Sequence, residues 1–387
     1  MNLSSQNGSF SGSGSHIYYD AFIKNNSSSP LQCYFQEKRL SSYLRDPSKY
    51  YMTIVRFNLS TIEIPLMIPD VQIVNNTDPN LLTYSFTMSY KVSGNTISYQ
   101  QYVIFVPENM MVSPPVPPFS LYTLDNEYYY LNSFQAFVDM LNTALVNCWN
   151  GLKSAVETAG GSLIGSSPNI YMEIDTTSGL MQLNADILQY DQVSLSNPIL
   201  LSMNSQLYYL MNSFQTLEYG YNKPYGISNT FVIKNNNSSN LLNTSSVNYI
   251  VMFNEYSVAG LWTPFDSLIC TTSSIPITKS LQTPPIVANE AGVESMTALS
   301  SNLDIYMVTD FMVTLDSGGN EYRTGGSVQY TPQVYRLLDM TASGAIDTLD
   351  LSFYWKSNKS GNVFPLYIDS GASSSIKILF RAKELGV

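Results

Sequence analysis

The chain predicts a mainly β fold, a two-sheet β-sandwich interrupted by an inserted second lobe that contains two helices. Three observations lead there. Period-two hydrophobicity occupies both ends of the sequence, a stretch of helical periodicity separates them, and the final strands carry the most regular alternation. Near the C-terminus Leu349, Leu351, Phe353 and Trp355 alternate with Asp350, Ser352, Tyr354 and Lys356, which puts four large apolar groups on one strand face. A reversing loop, 357–362, leads to a return run with Phe364, Leu366 and Ile368 on one face, and Pro365 favours an edge position. Ser370-Gly371 turns the chain again, and Ile376, Ile378 and Phe380 alternate with Lys377, Leu379 and Arg381. The expectation is an antiparallel meander whose apolar face is buried against a second sheet. Its core is expected at Leu351, Phe353, Trp355, Phe364, Leu366, Ile376, Ile378 and Phe380.

Composition narrows the function classes. The 387 residues carry 18 basic and 29 acidic side chains, a net charge of −11, which disfavours direct nucleic-acid binding and anionic membranes. Charged residues make up only 12%, about half the roughly 25% of ordinary soluble proteins. Twenty-nine tyrosines in so weakly charged a chain fit surfaces buried between partners, although a compositional bias of a β-rich protein would leave the same trace. Cys33, Cys148 and Cys270 are too few and too far apart for a disulfide framework or a zinc site. No signal-peptide pattern or 18-residue apolar run is visible, so the chain is expected to stay reduced, intracellular where made, and without a membrane span.

In chain order, residues 1–20 read as a flexible arm rich in Ser, Gly and Asn. A strand is expected at 50–57, then an extended strap through Pro65 and Pro69. Residues 82–90 and 97–106 flank Ser93-Gly94-Asn95 as a hairpin, with a bulge expected between Tyr99 and Tyr102. The proline run 114–118 is the best boundary, which gives a sandwich from 21–113 and 226–387 and an inserted lobe at 119–225. In that lobe Phe134, Phe137, Val138, Leu141, Leu145 and Cys148 keep helical spacing between an Asn132 cap and an Asn150-Gly151 stop. A second helix is expected from Asn197-Pro198 through Phe214. Strands then return at 231–233, 249–253, 268–271, 305–315 and 334–340.

So laid out, the sequence resembles the minor capsid, or penton, proteins of virophages and their polinton relatives, the Sputnik-like group above all. The resemblance rests on Ile54-Val55-Arg56-Phe57 before Ile64-Pro65-Leu66, and on Val308-Thr309-Asp310-Phe311. It also rests on Val328-Gln329-Tyr330-Thr331-Pro332 with Tyr335-Arg336, and on the pattern from Asp350-Leu351 to Ile378-Leu379-Phe380. It implies a single jelly roll at the five-fold vertex of an icosahedral virion, a homopentamer that meets the major capsid protein around its rim. Periodicity alone would equally support a carbohydrate- or receptor-binding module, with Tyr128, Tyr129 and Tyr130 as a stacking platform or a subunit contact.

Catalytic signatures are sparse. His16, the single histidine, falls in the expected arm, where no nucleophile can be held beside it, and zinc-hydrolase or phosphate-loop motifs are absent. Asp369-Ser370-Gly371 imitates the active-site turn of aspartic proteases, and Asp316-Ser317-Gly318 supplies a second copy. Too little chain follows Asp369 for a protease lobe, so both read as turns. Asp186, Asp191, Glu255 and Asp266 have no spacing that marks a glycosidase pair. Asp46, Glu63, Asp70 and Asp78 lack a calcium-loop pattern. The expectation is a non-enzymatic structural subunit with no cofactor and no metal.

Overall fold

The structure, a computed structural model, describes residues 16–175, 178–214, 228–234, 241–244, 247–278, 286–289, 292–295, 306–312 and 326–383. Residues 1–15 of the expected arm, and the Asp316-Ser317-Gly318 turn, lie outside them. The chain folds as two compact units, one from Met1–Ile64, Phe265–Thr314 and Glu321–Val387, the other chiefly from Pro65–Pro264. The second unit is thus inserted between Ile64 and Phe265, earlier and later than the expected boundaries near 113 and 226. The proline run is no boundary, because the hairpin that precedes it pairs with Leu200–Asn204 inside the insertion.

Among the described residues, the two main sheets of the first unit are built on β1 Ile17–Lys24, β2 Tyr34–Lys38, β3 Tyr50–Ser60, β4 Phe265–Thr272, β5 Tyr306–Met312, β6 Ser327–Tyr330, β7 Thr348–Ser357 and β8 Ser373–Ala382. One sheet runs β1-β8-β3-β6 and the other β5-β4-β7-β2, all antiparallel. Among the described residues each sheet gains a fifth, short strand, Leu338–Asp339 beside β3 and Val363–Pro365 beside β7, and the eight main strands alternate between the sheets in the order of a jelly roll. β1 begins at Ile17, inside the segment expected to be a flexible arm.

Aromatic rings from both sheets meet in the core. Phe57 of β3 packs edge-on against Phe311 of β5 and Phe353 of β7, at centroid distances of 5.5 and 5.6 Å. Leu351, Phe353, Trp355, Leu366, Ile376, Ile378 and Phe380 are buried, and Phe364 is half-buried against the Trp355 ring at 4.8 Å. Each fully buried side chain of this size contributes about 1.5–3 kcal/mol.

The C-terminal meander does not form. β7 pairs with the short return strand Val363–Pro365, but β8 crosses to the opposite sheet and lies between β1 and β3. Alternation fixes which face of a strand is buried and leaves its ladder partner open. Gly371, at φ +80°, allows the crossing turn. Asp350, assigned by alternation to the polar face, is buried: the turn after β4 folds over it and donates Ser273 N, Ser274 N and Thr272 Oγ1 to its carboxylate at 2.7–2.8 Å. The expected strand at 334–340 reduces to Leu338–Asp339, paired with β3.

The second unit holds two further antiparallel sheets. Ser228–Thr230, Leu200–Asn204, Leu81–Val92 and Asn95–Ile104 form one, in that order. Leu241–Thr244, Val247–Phe253, Met181–Asp186 and Ile170–Ile174 form the other. A long helix, α1, spans Phe134–Thr158. Ser133, not Asn132, caps it by accepting Gln135 N at 3.2 Å. It runs past Asn150-Gly151 because the glycine makes room for a ring: a Cβ there would lie 2.2 Å from Tyr99.

The second expected helix divides. Residues 200–204 are a strand, with Phe86 opposite Met203, and only Ser205–Leu210 is helical. Its cap is Asn204, which accepts Leu207 N at 3.1 Å, while Asn197 donates to Lys91 O at 2.9 Å. The hairpin irregularity also moves. It falls on the first arm, between Leu81 and Ser85, where three residues, 82–84, stand against the single Val103 of the return arm.

Candidate assembly surfaces

Two margins of the β1-β8-β3-β6 sheet carry exposed apolar side chains. β1 is the first. Its inward residues are half-buried while Tyr18, Asp20, Phe22 and Lys24 face out, with Tyr18 57% and Phe22 69% exposed. Among the described residues nothing pairs with its outer edge. Asp20 sits 3.8 Å from Arg56 and 3.4 Å from Lys377, whose ammonium lies 5.5 Å from the Tyr18 ring centre. These exposed pairs add little stability and chiefly hold the surface in one arrangement. Behind β1, Tyr19 donates its hydroxyl to Glu37 at 2.9 Å, and Arg39 donates to the same carboxylate at 3.2 Å. Burial raises the Glu37 carboxyl, but these donors outweigh it and hold the group below its ordinary range. The cluster ties β1 to β2 at the rim.

The second margin lies beyond β3. β6 pairs with one end of β3 and Leu338–Asp339 with the other. Residues 331–337 bridge them along the surface, with Val334 84%, Tyr335 45% and Leu337 38% exposed. The bridge is anchored at both ends. Tyr330 packs at a tilt on Phe311 and Phe57, with centroids 4.1 and 4.9 Å away, while Lys383 pairs with Asp339 and donates to Ser48 O at 2.6 Å. The sequence reading made 334–340 a strand; the exposure of Val334 and Leu337 is what the sequence concealed.

The other sequence candidates have structural roles. Tyr128 and Tyr129 are buried within the second unit, donating to Asn80 Oδ1 at 2.7 Å and Pro79 O at 2.9 Å and packing on Phe105. Tyr130 donates to Asp125 O at 3.3 Å. The Tyr128 and Tyr129 rings are covered and leave a sugar no stacking face, while Tyr130 is half-buried. Asp369 closes a turn, with Ser370 N 2.6 Å from its Oδ1 and Ala372 N 3.1 Å from its carbonyl oxygen. Asp186 accepts Leu188 N and Asn169 Nδ2, and Asp191 accepts Val193 N and Ser194 Oγ, so both serve as local caps. Asp266 pairs with Lys356 at 3.6 Å. Asp46 accepts Ser48 Oγ, Asp70 accepts the Tyr84 hydroxyl and Asp78 accepts Asn80 N. Among the described residues no three His, Cys, Asp or Glu side chains gather where a metal could sit, and no helix is long and apolar enough to cross a membrane. The three cysteines are free and buried, and burial pushes the Cys33 and Cys148 thiols up to about 12, far from reactivity.

A site made of surfaces rather than of converging polar groups gains meaning from its relatives. The model of the Sputnik minor capsid protein V18/19 family matches residues 17–382, which takes in both units. The chain belongs to that family. It is a minor capsid protein, a component of a virion shell. Protein V18 of Sputnik virophage is 34% identical over 146 residues, 36% of this chain and 86% of V18. A chain of the 3.5 Å cryo-EM structure of Sputnik virophage superposes with a TM-score of 0.76 at 25% identity, covering 96% of this chain and 98% of that one. The mavirus penton protein shares the fold: TM-score 0.60 at 14% identity, over 95% of this chain and all of that one.

Proposed function

We propose that this minor capsid protein is a penton, a homopentamer that closes the five-fold vertices of an icosahedral shell and contacts the major capsid protein around its rim. The family match across 17–382 carries the reading, because the sandwich and the insertion belong to one capsid component. A closed ring needs a heterologous contact, in which one flank of each copy meets a different flank of the next. The β1 margin, with Tyr18 and Phe22, and the 331–337 margin, with Val334 and Leu337, are two such flanks at opposite edges of one sheet. The work of the protein is contact, with no chemistry of its own. Its 29 acidic against 18 basic residues suit protein neighbours better than a direct hold on the genome. Assembly would follow synthesis in the host cytoplasm.

Native mass spectrometry of the purified chain tests this. Pentamers are expected, reduced by Phe22→Asp or Val334→Asp to monomers that keep the wild-type circular-dichroism spectrum and a cooperative melt. A chain that stays monomeric with the major capsid protein present, and never enters particles, would overturn the reading.

A further inference from the structure

We propose that the second unit carries a docking slot for an extended strand of a partner protein. Asn95–Ile104 ends its sheet, and among the described residues no strand pairs with its outer edge. Ser93 and Gly94, at φ 49° and 86°, form a two-residue turn that sets Val92 opposite Asn95. In that register the amides and carbonyls of Thr96, Ser98, Gln100 and Tyr102 point away from the neighbouring strand. The Tyr102 carbonyl accepts the Gln101 side-chain amide at 2.8 Å, a contact that an incoming backbone N–H would replace.

Beside this edge a slot of about 410 Å³ opens between Tyr102, Ile104 and Val106 on one wall and Ala136, Met140 and Ala144 of α1 on the other. That volume falls within the usual range of binding pockets. The alanines and Met140 follow one another at four-residue spacing, so they line one stripe of the helix, with a small residue on either side of the methionine. Charge in the lining comes from Glu108 and Asp139, and no Lys or Arg contributes.

An open backbone edge next to an apolar slot with an acidic rim specifies its occupant. The edge is satisfied in full only by another backbone, and the slot takes the side chains that alternate toward it. The rim favours a Lys or Arg among the polar positions between them. The partner is therefore an extended polypeptide that alternates apolar with polar or basic residues; a sugar or a lipid would leave the edge unpaired.

A phage library of random ten-residue peptides, panned on the immobilised full-length chain, tests the slot. Enriched sequences are expected to alternate apolar and polar residues and to include Lys or Arg. Synthetic copies should bind at least about tenfold more weakly to Ala136→Trp, which fills the slot, and to Ile104→Lys, a change at a 42% exposed position, each variant keeping the wild-type circular-dichroism spectrum. N-methylation of the edge-facing amides should abolish binding, while shifted ones tolerate it. No enrichment, enrichment without alternation, or binding indifferent to both variants and to N-methylation would each overturn the proposal.

Discussion

Asp350 shows how one carboxylate can organise a sandwich edge. Burial raises its carboxyl, but donors from Ser273, Ser274 and Thr272 outweigh that and hold it below the ordinary value of 3.8. A depressed folded-state pKa adds stability that is complete above the unfolded value and disappears as pH falls through the folded one. Urea unfolding of the wild type is therefore expected to weaken below about pH 4, with a shallower pH dependence for Asp350→Asn. Asp350→Ala is expected to cost about 2–4 kcal/mol at pH 7, since it strands buried donors. Wild-type stability that ignores pH between 5 and 3 would remove Asp350 from this role. Gly151 makes the complementary case, in which absence of a side chain matters. Gly151→Ala should lower the melting temperature through its clash with Tyr99, and Tyr99→Ala in the same chain should restore part of the loss. Neither role was legible in the sequence. Asp350 occupied a polar beat of an alternating strand, and Gly151 followed an asparagine as a helix stop would, because both depend on residues distant in the chain.

Elements were legible where a pattern is local and hidden where it depends on pairing. Alternation at Leu351–Trp355 and at Ile376–Phe380 marks faces that are buried. It gave no means of telling that β8 joins β1 and β3 instead of β7, because register and partner are set by contacts across the whole chain. Residues 200–214 mix apolar groups at spacings that suit a helix, and tertiary pairing with Leu81–Val92 took the first five as a strand. The central position of β8 has an energetic consequence. Ile378→Ala is expected to cost about 2–5 kcal/mol, whereas Phe364→Ala, at a half-buried edge position, should cost less. Chemical denaturation of the two variants checks the order, and equal losses would contradict a β8 seated between two partners. At the helix, Ser133→Ala should cost about 1 kcal/mol in chemical denaturation, and an unchanged midpoint would contradict Ser133 as the cap.

At the scale of the whole molecule, both ends of the chain share one sheet, with β1 and β3 flanking β8, and a second unit leaves and rejoins at Ile64 and Phe265. The family was legible early because short blocks such as Val328–Pro332 kept their order along the chain. The margins were not, because exposure of Phe22 and Val334 is a property of folded neighbours and not of residue type. The most direct measurement is a cryo-EM map of the assembled particle at a resolution that traces this chain. Five copies are expected around each five-fold axis, with Ile17–Lys24 of one copy against residues 331–337 of the next. Density for the chain away from those axes, or both margins open to solvent at them, would contradict the account.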